Sequence, residues 1–279
     1  MPLDFCILKT QPNLKCVQYR LPLLSWCFMR LKISLLSDKE IILPKEFNAI
    51  TQALIYRLID RVPAQWLHEG GFKVENRSFK LFTFSSIIEK GRYQSSKELF
   101  IFPHMVSFYV SSPVFWILEQ VAKNTVFSEK LLFGKNLMNI SSVEVIKDED
   151  IKTNKIRVNA LTPIETHSTL LKGDGTKKTY YYSPTESEYS TLINENLRKK
   201  WCAYHRKECP YSIKTEPVQM KYCRERIRSF KDTVIKGWTG HFWLEGEPEF
   251  LQFALAAGLG SRNSGGFGFI EKVRERKDI

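Results

Sequence analysis

The sequence has no uninterrupted apolar run near the ~18 to 20 residues that a membrane-crossing helix requires, so a soluble protein is expected. Nor do its six cysteines include a Cys-x2-Cys pair. Cys202, Cys209 and Cys223 show no spacing that suggests disulfide stapling, which fits a reducing, cytoplasmic setting. Cys202, His205, Cys209 and Cys223 can be drawn as zinc ligands spaced C-x2-H-x3-C-x13-C, but without paired cysteines the pattern is weak, and no metal or other cofactor is expected. The first 28 residues hold the other three cysteines. They lack both a strand and a helix period, and no small-residue cleavage site follows their one short, late apolar stretch, so a secretory signal is a poor fit. Residues 1–28 are therefore expected to be an upstream extension, with the folded chain beginning at Met29.

Acidic residues are also scarce: 30 Asp+Glu against 42 Lys+Arg in 279 residues leave a net charge of +12. That balance favours a polyanionic partner. The excess is concentrated between Thr191 and Gly237, where twelve Lys/Arg stand against five Asp/Glu. Arg198, Lys199, Lys200, Arg206 and Lys207 are followed by Lys221, Arg224, Arg226, Arg228, Lys231 and Lys236, with Trp201, Tyr204, Tyr222, Phe230 and Trp238 interleaved or just beyond. Cations hold phosphates and flat rings stack unpaired bases, so the mixture favours nucleic acid over a membrane surface. Taken alone, such a stretch is equally well a solvated, salt-bridged face.

What the chain does have is glycine in one place. Residues 258–270 read GLGSRNSGGFGFI, five glycines in thirteen residues. Phosphate loops and dinucleotide fingerprints run from a strand through glycines into a helix. Here the order is reversed: EPEFLQFALAA, with helical apolar spacing, precedes the glycines, and Gly258 falls where a helix C-cap is expected. No Lys-Ser/Thr pair follows, which argues against a nucleoside triphosphate site. Gly258, Gly260, Asn263, Ser264, Gly266 and Gly268 are then expected to offer backbone amides, with Arg262 as a cation, to a phosphate-bearing partner. The competing reading is a C-cap followed by a bulge.

The order of elements suggests a duplication. Met29–Leu36 alternates as a half-buried strand, and Phe47, Ile50, Leu54, Leu58 and Val62 form the stripe of a helix that places Tyr56 on its opposite face. A short second helix around PAQWLHEGG, a strand pair near 80–87 and 100–112, a helix over 113–124 and a strand at SSVEVIKDE follow. This is the β-α-β-β-α-β order of a ferredoxin-like unit. A strand from Lys155, a long helix over 186–206, a β region over 227–246, a helix over 248–257 and a strand over 267–273 repeat it. The expected fold class is α+β, two tandem ferredoxin-like (RRM-like) domains at 29–150 and 151–279.

With these elements in place, GLGSRNSGGFGFI resembles the signature glycine loop of the CRISPR-associated RAMP proteins. Leu43-Pro44 with FNAITQALIYRLI, then WLHE and KLFTFS, is similar to the N-terminal half of the repeat-cleaving endoribonucleases of that superfamily, the Cas-six group, and WTGHFWLEGEPEFLQFALAAGLG looks like their approach to the loop. The resemblance runs from Met29 to about Val273. It implies a catalytic Tyr56, His68 and Lys80: His68 as the principal acid/base, Tyr56 as its partner on the 2′-hydroxyl or leaving group, and Lys80 facing the phosphate charge. The segment between His68 and Lys80 is longer than the compact family pattern, which leaves Lys73 and Arg77 as rival cations. The implied partner is CRISPR repeat RNA, held by the glycine loop and by Arg224, Arg226, Arg228, Lys231 and Lys236. The implied reaction is metal-independent cutting that leaves a 2′,3′-cyclic phosphate and a 5′-hydroxyl. The alternative is a non-catalytic repeat-RNA-binding or effector-complex subunit; monomer and homodimer both stay open.

Overall fold

A computed structural model describes residues 29–273 apart from 172, 174 and 232, so the expectation for 1–28 lies outside the described residues. In the first half the strands Thr83–Phe84, Met105–Ser111, Met29–Leu36 and Asn136–Lys147 lie side by side in that order, all antiparallel, with Leu131–Phe133 added at the far edge. In the second half Ile213–Pro217, Thr233–Gly246, Lys155–Ile164 and Ile270–Lys272 repeat the arrangement. Numbered along the chain within each half, both sheets read 2-3-1-4. The protein is two ferredoxin-like domains in tandem.

Alternation builds each sheet. Leu31, Ile33 and Leu35 point into a first core with Leu54, Ile55, Phe82, Phe108, Ile117 and Val121. Its two layers are the sheet and the helices α1 (Asn48–Arg57), α2 (Arg61–Glu69) and α3 (Phe115–Val126). Ile156, Val158, Phe242 and Leu244 build a second core with α4 (Ser187–His205) and α5 (Pro248–Ala257). Pro248 opens α5 at a position where its missing N–H costs nothing. Every residue from Phe250 to Ala257 is buried, because α5 packs its own sheet and also the first half, where Ser111 Oγ donates to Leu255 O over 3.4 Å.

Several boundaries differ from the sequence expectation for physical reasons. The segment 100–112 is two strands in two sheets, Leu99–Phe102 and Met105–Ser111, because Pro103 cannot donate to a ladder. KLFTFSSI contributes only Thr83–Phe84. The closing strand begins at Ile270 rather than Phe267, the residues before it being bound into the glycine loop. Val62, expected on the buried stripe of the first helix, starts a new helix and is 79% exposed. Among the described residues no helix is long and apolar enough to cross a membrane.

The glycine loop is built to a tolerance that only glycine meets. At Gly260, φ is +67°, and an added Cβ would fall on the Glu165 carbonyl oxygen. Gly260→Ala is expected to lower unfolding free energy by at least ~2 kcal/mol in urea titration, combining left-handed strain with a backbone clash. Gly173→Ala, where an added Cβ meets nothing within 4 Å, should stay within ~0.5 kcal/mol of the parent.

Candidate active site

The glycine loop is an internal joint between the halves. Asn48 Nδ2 donates to Gly265 O over 3.0 Å, Gln52 Nε2 to Ser264 O over 2.6 Å, and Thr83 Oγ1 to Phe267 O over 3.1 Å. From the other side Lys200 Nζ donates to Gly258 O and Gly260 O over 2.8 and 2.9 Å. The amides of Leu259, Ser261, Gly265, Gly266 and Gly268 are taken by Gly268 O, Glu165 O, Arg262 O, Asn263 O and Pro163 O. The expected row of amides turned towards phosphates is therefore corrected. Gly258, Gly260, Asn263, Gly266 and Gly268 are buried, Ser264 is half-buried, and Arg262 is the exposed residue among the candidates here.

Burial also reassigns part of the basic stretch. Trp201, expected as a stacking ring, is 2% exposed and sits among Tyr211, Phe250 and Phe253. Lys200 is buried; desolvation pushes its pKa down to about 7, with Glu165 acting in the opposite sense. The strand Arg224–Phe230 pairs with Thr233–Gly246 as a hairpin whose alternation puts Arg224, Arg226, Arg228 and Phe230 on one face. Arg224 and Arg226 are exposed. Arg228 is a brace, donating to Asn48 Oδ1 (3.3 Å) and Ser86 Oγ (3.1 Å) in the first half, and burial lowers its pKa. Lys236 lies opposite Ile227, hence on the other face, paired with Glu225 at 3.7 Å. Lys231 sits at the exposed tip over the Phe230 ring. Of the five cations expected to act together, Arg224, Arg226 and Lys231 stay exposed with Arg262, Lys236 is exposed on the other face of the hairpin, and Arg228 is turned to the first half.

The structure brings Tyr56 and His68 together. Tyr56, near the end of α1, lies edge-on to the His68 ring with centroids 5.9 Å apart, and is backed by Phe82 at 5.6 Å. Burial pushes the Tyr56 pKa up to about 12, so its phenol keeps its proton at neutral pH and has a hydrogen to donate. His68, in the last turn of α2, is exposed. Lys80 is close but differently employed: its ammonium donates to the Leu67 carbonyl and, over 3.0 Å, to that of His68. Burial and the neighbouring charge of Lys73 lower its pKa. The extra residues between His68 and Lys80 form a hairpin, Phe72–Val74 with Arg77–Phe79, that leans on α4 through Phe72 and Tyr204 and through a Lys199–Glu75 ion pair at 3.2 Å. The polar face of α1 is likewise no solvent face. Asn48, Gln52 and Tyr56, spaced four apart, form one ridge, the first two residues on the glycine loop and the third at His68. Sequence reasoning missed Asn48 and Gln52, although that spacing was the available signal. Cys202, His205, Cys209 and Cys223 do not assemble: among the described residues no group of three or more His, Cys, Asp or Glu is placed to hold a metal.

Residues 146–272 match the family model of the C-terminal part of CRISPR-associated Cas6. Over 256 residues the chain is 23% identical to CRISPR-associated endoribonuclease Cas6 1 of Methanocaldococcus jannaschii, covering 89% of this chain and 94% of that protein. Over 238 residues it is 25% identical to CRISPR-associated endoribonuclease Cas6 of Pyrococcus furiosus, covering 84% and 85%. Most of the chain is thus similar to the Cas6 endoribonucleases, and its second half matches the Cas6 C-terminal model. A solved structure from a Cas6-related gene of P. furiosus superposes with a TM-score of 0.75 at 19% identity, covering 89% of this chain and all of the other, which shows the shared fold.

Lys200 ties the glycine loop to α4, and its loss is measurable without a ligand. Lys200→Met leaves two buried carbonyls without donors and is expected to cost ~2–4 kcal/mol at pH 7. Since the folded pKa of about 7 lies below the ~10.4 of an unfolded lysine, unfolding takes up a proton above pH 7 and the wild-type residue's contribution grows as pH rises. Urea titrations of both proteins from pH 7 to 9 should show the gap widening, by at most ~1.4 kcal/mol per pH unit. A gap that narrows would contradict the lowered pKa.

Proposed function

We propose that this protein is an endoribonuclease that cuts CRISPR repeat RNA into guide RNAs by 2′-hydroxyl attack. The observation that carries the reading is the pairing of an exposed imidazole, His68, with a half-buried, protonated phenol, Tyr56, at adjoining helix ends in a chain similar to Cas6 endoribonucleases. Attack of the 2′-oxygen on the adjacent phosphorus forms the O2′–P bond and breaks P–O5′, leaving a 2′,3′-cyclic phosphate and a 5′-hydroxyl. One proton must leave the 2′-hydroxyl and one must reach O5′.

The His68 imidazole can accept the first proton through a ring nitrogen. A phenol held protonated can donate at O5′, and the imidazolium can restore its proton afterwards. No step asks for a metal. The charge developing on phosphate is met by cations beside the end of α2, among which Lys73 and Arg77 are exposed. The two halves, dividing near residues 148–153, share the work: the first carries the proton-transfer pair, and the second presents Arg224, Arg226, Lys231 and Arg262 to the phosphate backbone.

Incubation with a CRISPR repeat RNA in EDTA is expected to give one cut. A single deoxy substitution at that position should abolish it, and His68→Ala should slow it by ~10² or more. RNA that is bound tightly and left whole by the wild-type protein would overturn the enzyme reading in favour of a binding subunit. Binding separates from chemistry: Arg224→Ala with Arg226→Ala should weaken affinity and reduce the salt slope by ~0.7 per lost phosphate contact, with His68→Ala leaving both near wild type. Equal weakening by both would show that the two sites are not distinct.

A further inference from the structure

Lys80 and Phe82, flanking Leu81 with its left-handed backbone (φ 52°), touch the two members of the proton-transfer pair. Lys80 reaches the end of α2, and Phe82 backs the Tyr56 ring. The last turn of α2 needs such a partner. Gly70 N and Gly71 N both donate to the Trp66 carbonyl, over 3.2 and 2.9 Å, which leaves the Leu67 and His68 carbonyls with no backbone donor among the described residues. An ammonium offers three N–H groups, and it sits here at the negative pole of the helix, where a cation is favoured. The carbonyl that Lys80 holds belongs to His68 itself. Phe82 is fully buried, so the far end of the segment is fixed in the first core.

We propose that Lys80 is a positioning residue: with Phe82 it clamps the end of α2 against α1, so that the His68 imidazole is kept at the Tyr56 ring, and it is not the cation that meets the phosphate. A lysine aimed at phosphate would present its ammonium to solvent in the absence of RNA. Here two of its three donors are committed to the protein. The kinetic part of this inference rests on the endoribonuclease reading, whereas its geometric part concerns the RNA-free protein.

The experiment compares wild type, Lys80→Met and Lys80→Arg. In RNA-free protein, NMR should show the Tyr56–His68 ring contact and slow exchange of the Gly70 and Gly71 amides in wild type. Both should be lost in Lys80→Met and largely kept in Lys80→Arg, whose guanidinium still donates to the carbonyls. With repeat RNA, Lys80→Met should lower kcat by ~10-fold or more and leave KM within ~2-fold, with Lys80→Arg recovering most of the rate. Replacing a non-bridging oxygen of the scissile phosphate by sulfur should slow wild type and Lys80→Met by the same factor. The proposal is overturned if the ring contact and amide exchange are unchanged in Lys80→Met, or if the sulfur effect disappears with Lys80. Should wild type bind repeat RNA without cutting it, the endoribonuclease reading fails while the NMR comparison still decides the positioning role.

Discussion

The carbonyl oxygens of residues 258–267 accept hydrogen bonds from both halves of the chain: Asn48, Gln52 and Thr83 donate from one side and Lys200 from the other. A loop with this many backbone groups turned inward could not be buried unless each found a partner, since an unpaired buried carbonyl costs ~1–3 kcal/mol. Side chains would occupy the space those donors need, which explains why glycine recurs there. Arg228 adds a second tie through Asn48 and Ser86. The relative placement of the two sheets therefore depends on a glycine-rich segment whose carbonyls are tied from both sides and whose Leu259, Phe267 and Phe269 side chains are fully buried.

That joint reaches the candidate chemistry through one helix. Asn48 and Gln52 hold α1 to the loop, and Tyr56 lies one further turn along the same ridge, at the His68 ring. The outward-facing cations of the second half lie on a hairpin whose inner residues, Phe230 and Arg228, rest on the loop and on the first half. The surface suited to phosphates and the pair suited to proton transfer are thus rigidly related, each two or three contacts from the loop. Positioning of this kind is what a reaction driven by proton transfer and orientation requires.

Much of this was legible in the sequence. Alternation in Met29–Leu36 and Lys155–Ile164, the 3.6-residue period in 248–257, and proline and glycine at its ends are local signals, and the doubled element order came from them. Tyr56, His68 and Lys80 came from motif resemblance, and the first two do meet. The errors share a cause. Trp201, Lys200 and Arg228 look like surface residues from composition, and whether a residue on an amphipathic element faces water depends on what covers it. The use of the polar ridge of α1 was hidden for the same reason, because its covering belongs to a segment more than 200 residues later.

The sequence by itself determined the ferredoxin-like class, the net positive charge and the identity of the glycine loop, since each depends on neighbours within a few turns of chain; it did not show that the second strand of the second sheet is Ile213–Pro217, outside the β region expected over 227–246. Only the tertiary structure decided what those residues do. It turned the loop's amides and carbonyls inward, split the basic row into exposed Arg224 and Arg226 and a bracing Arg228, and set Lys80 on the carbonyls of the helix that carries His68. Those outcomes follow from pairing demands on buried polar groups, which are met by residues distant in sequence and are invisible until the chain has folded.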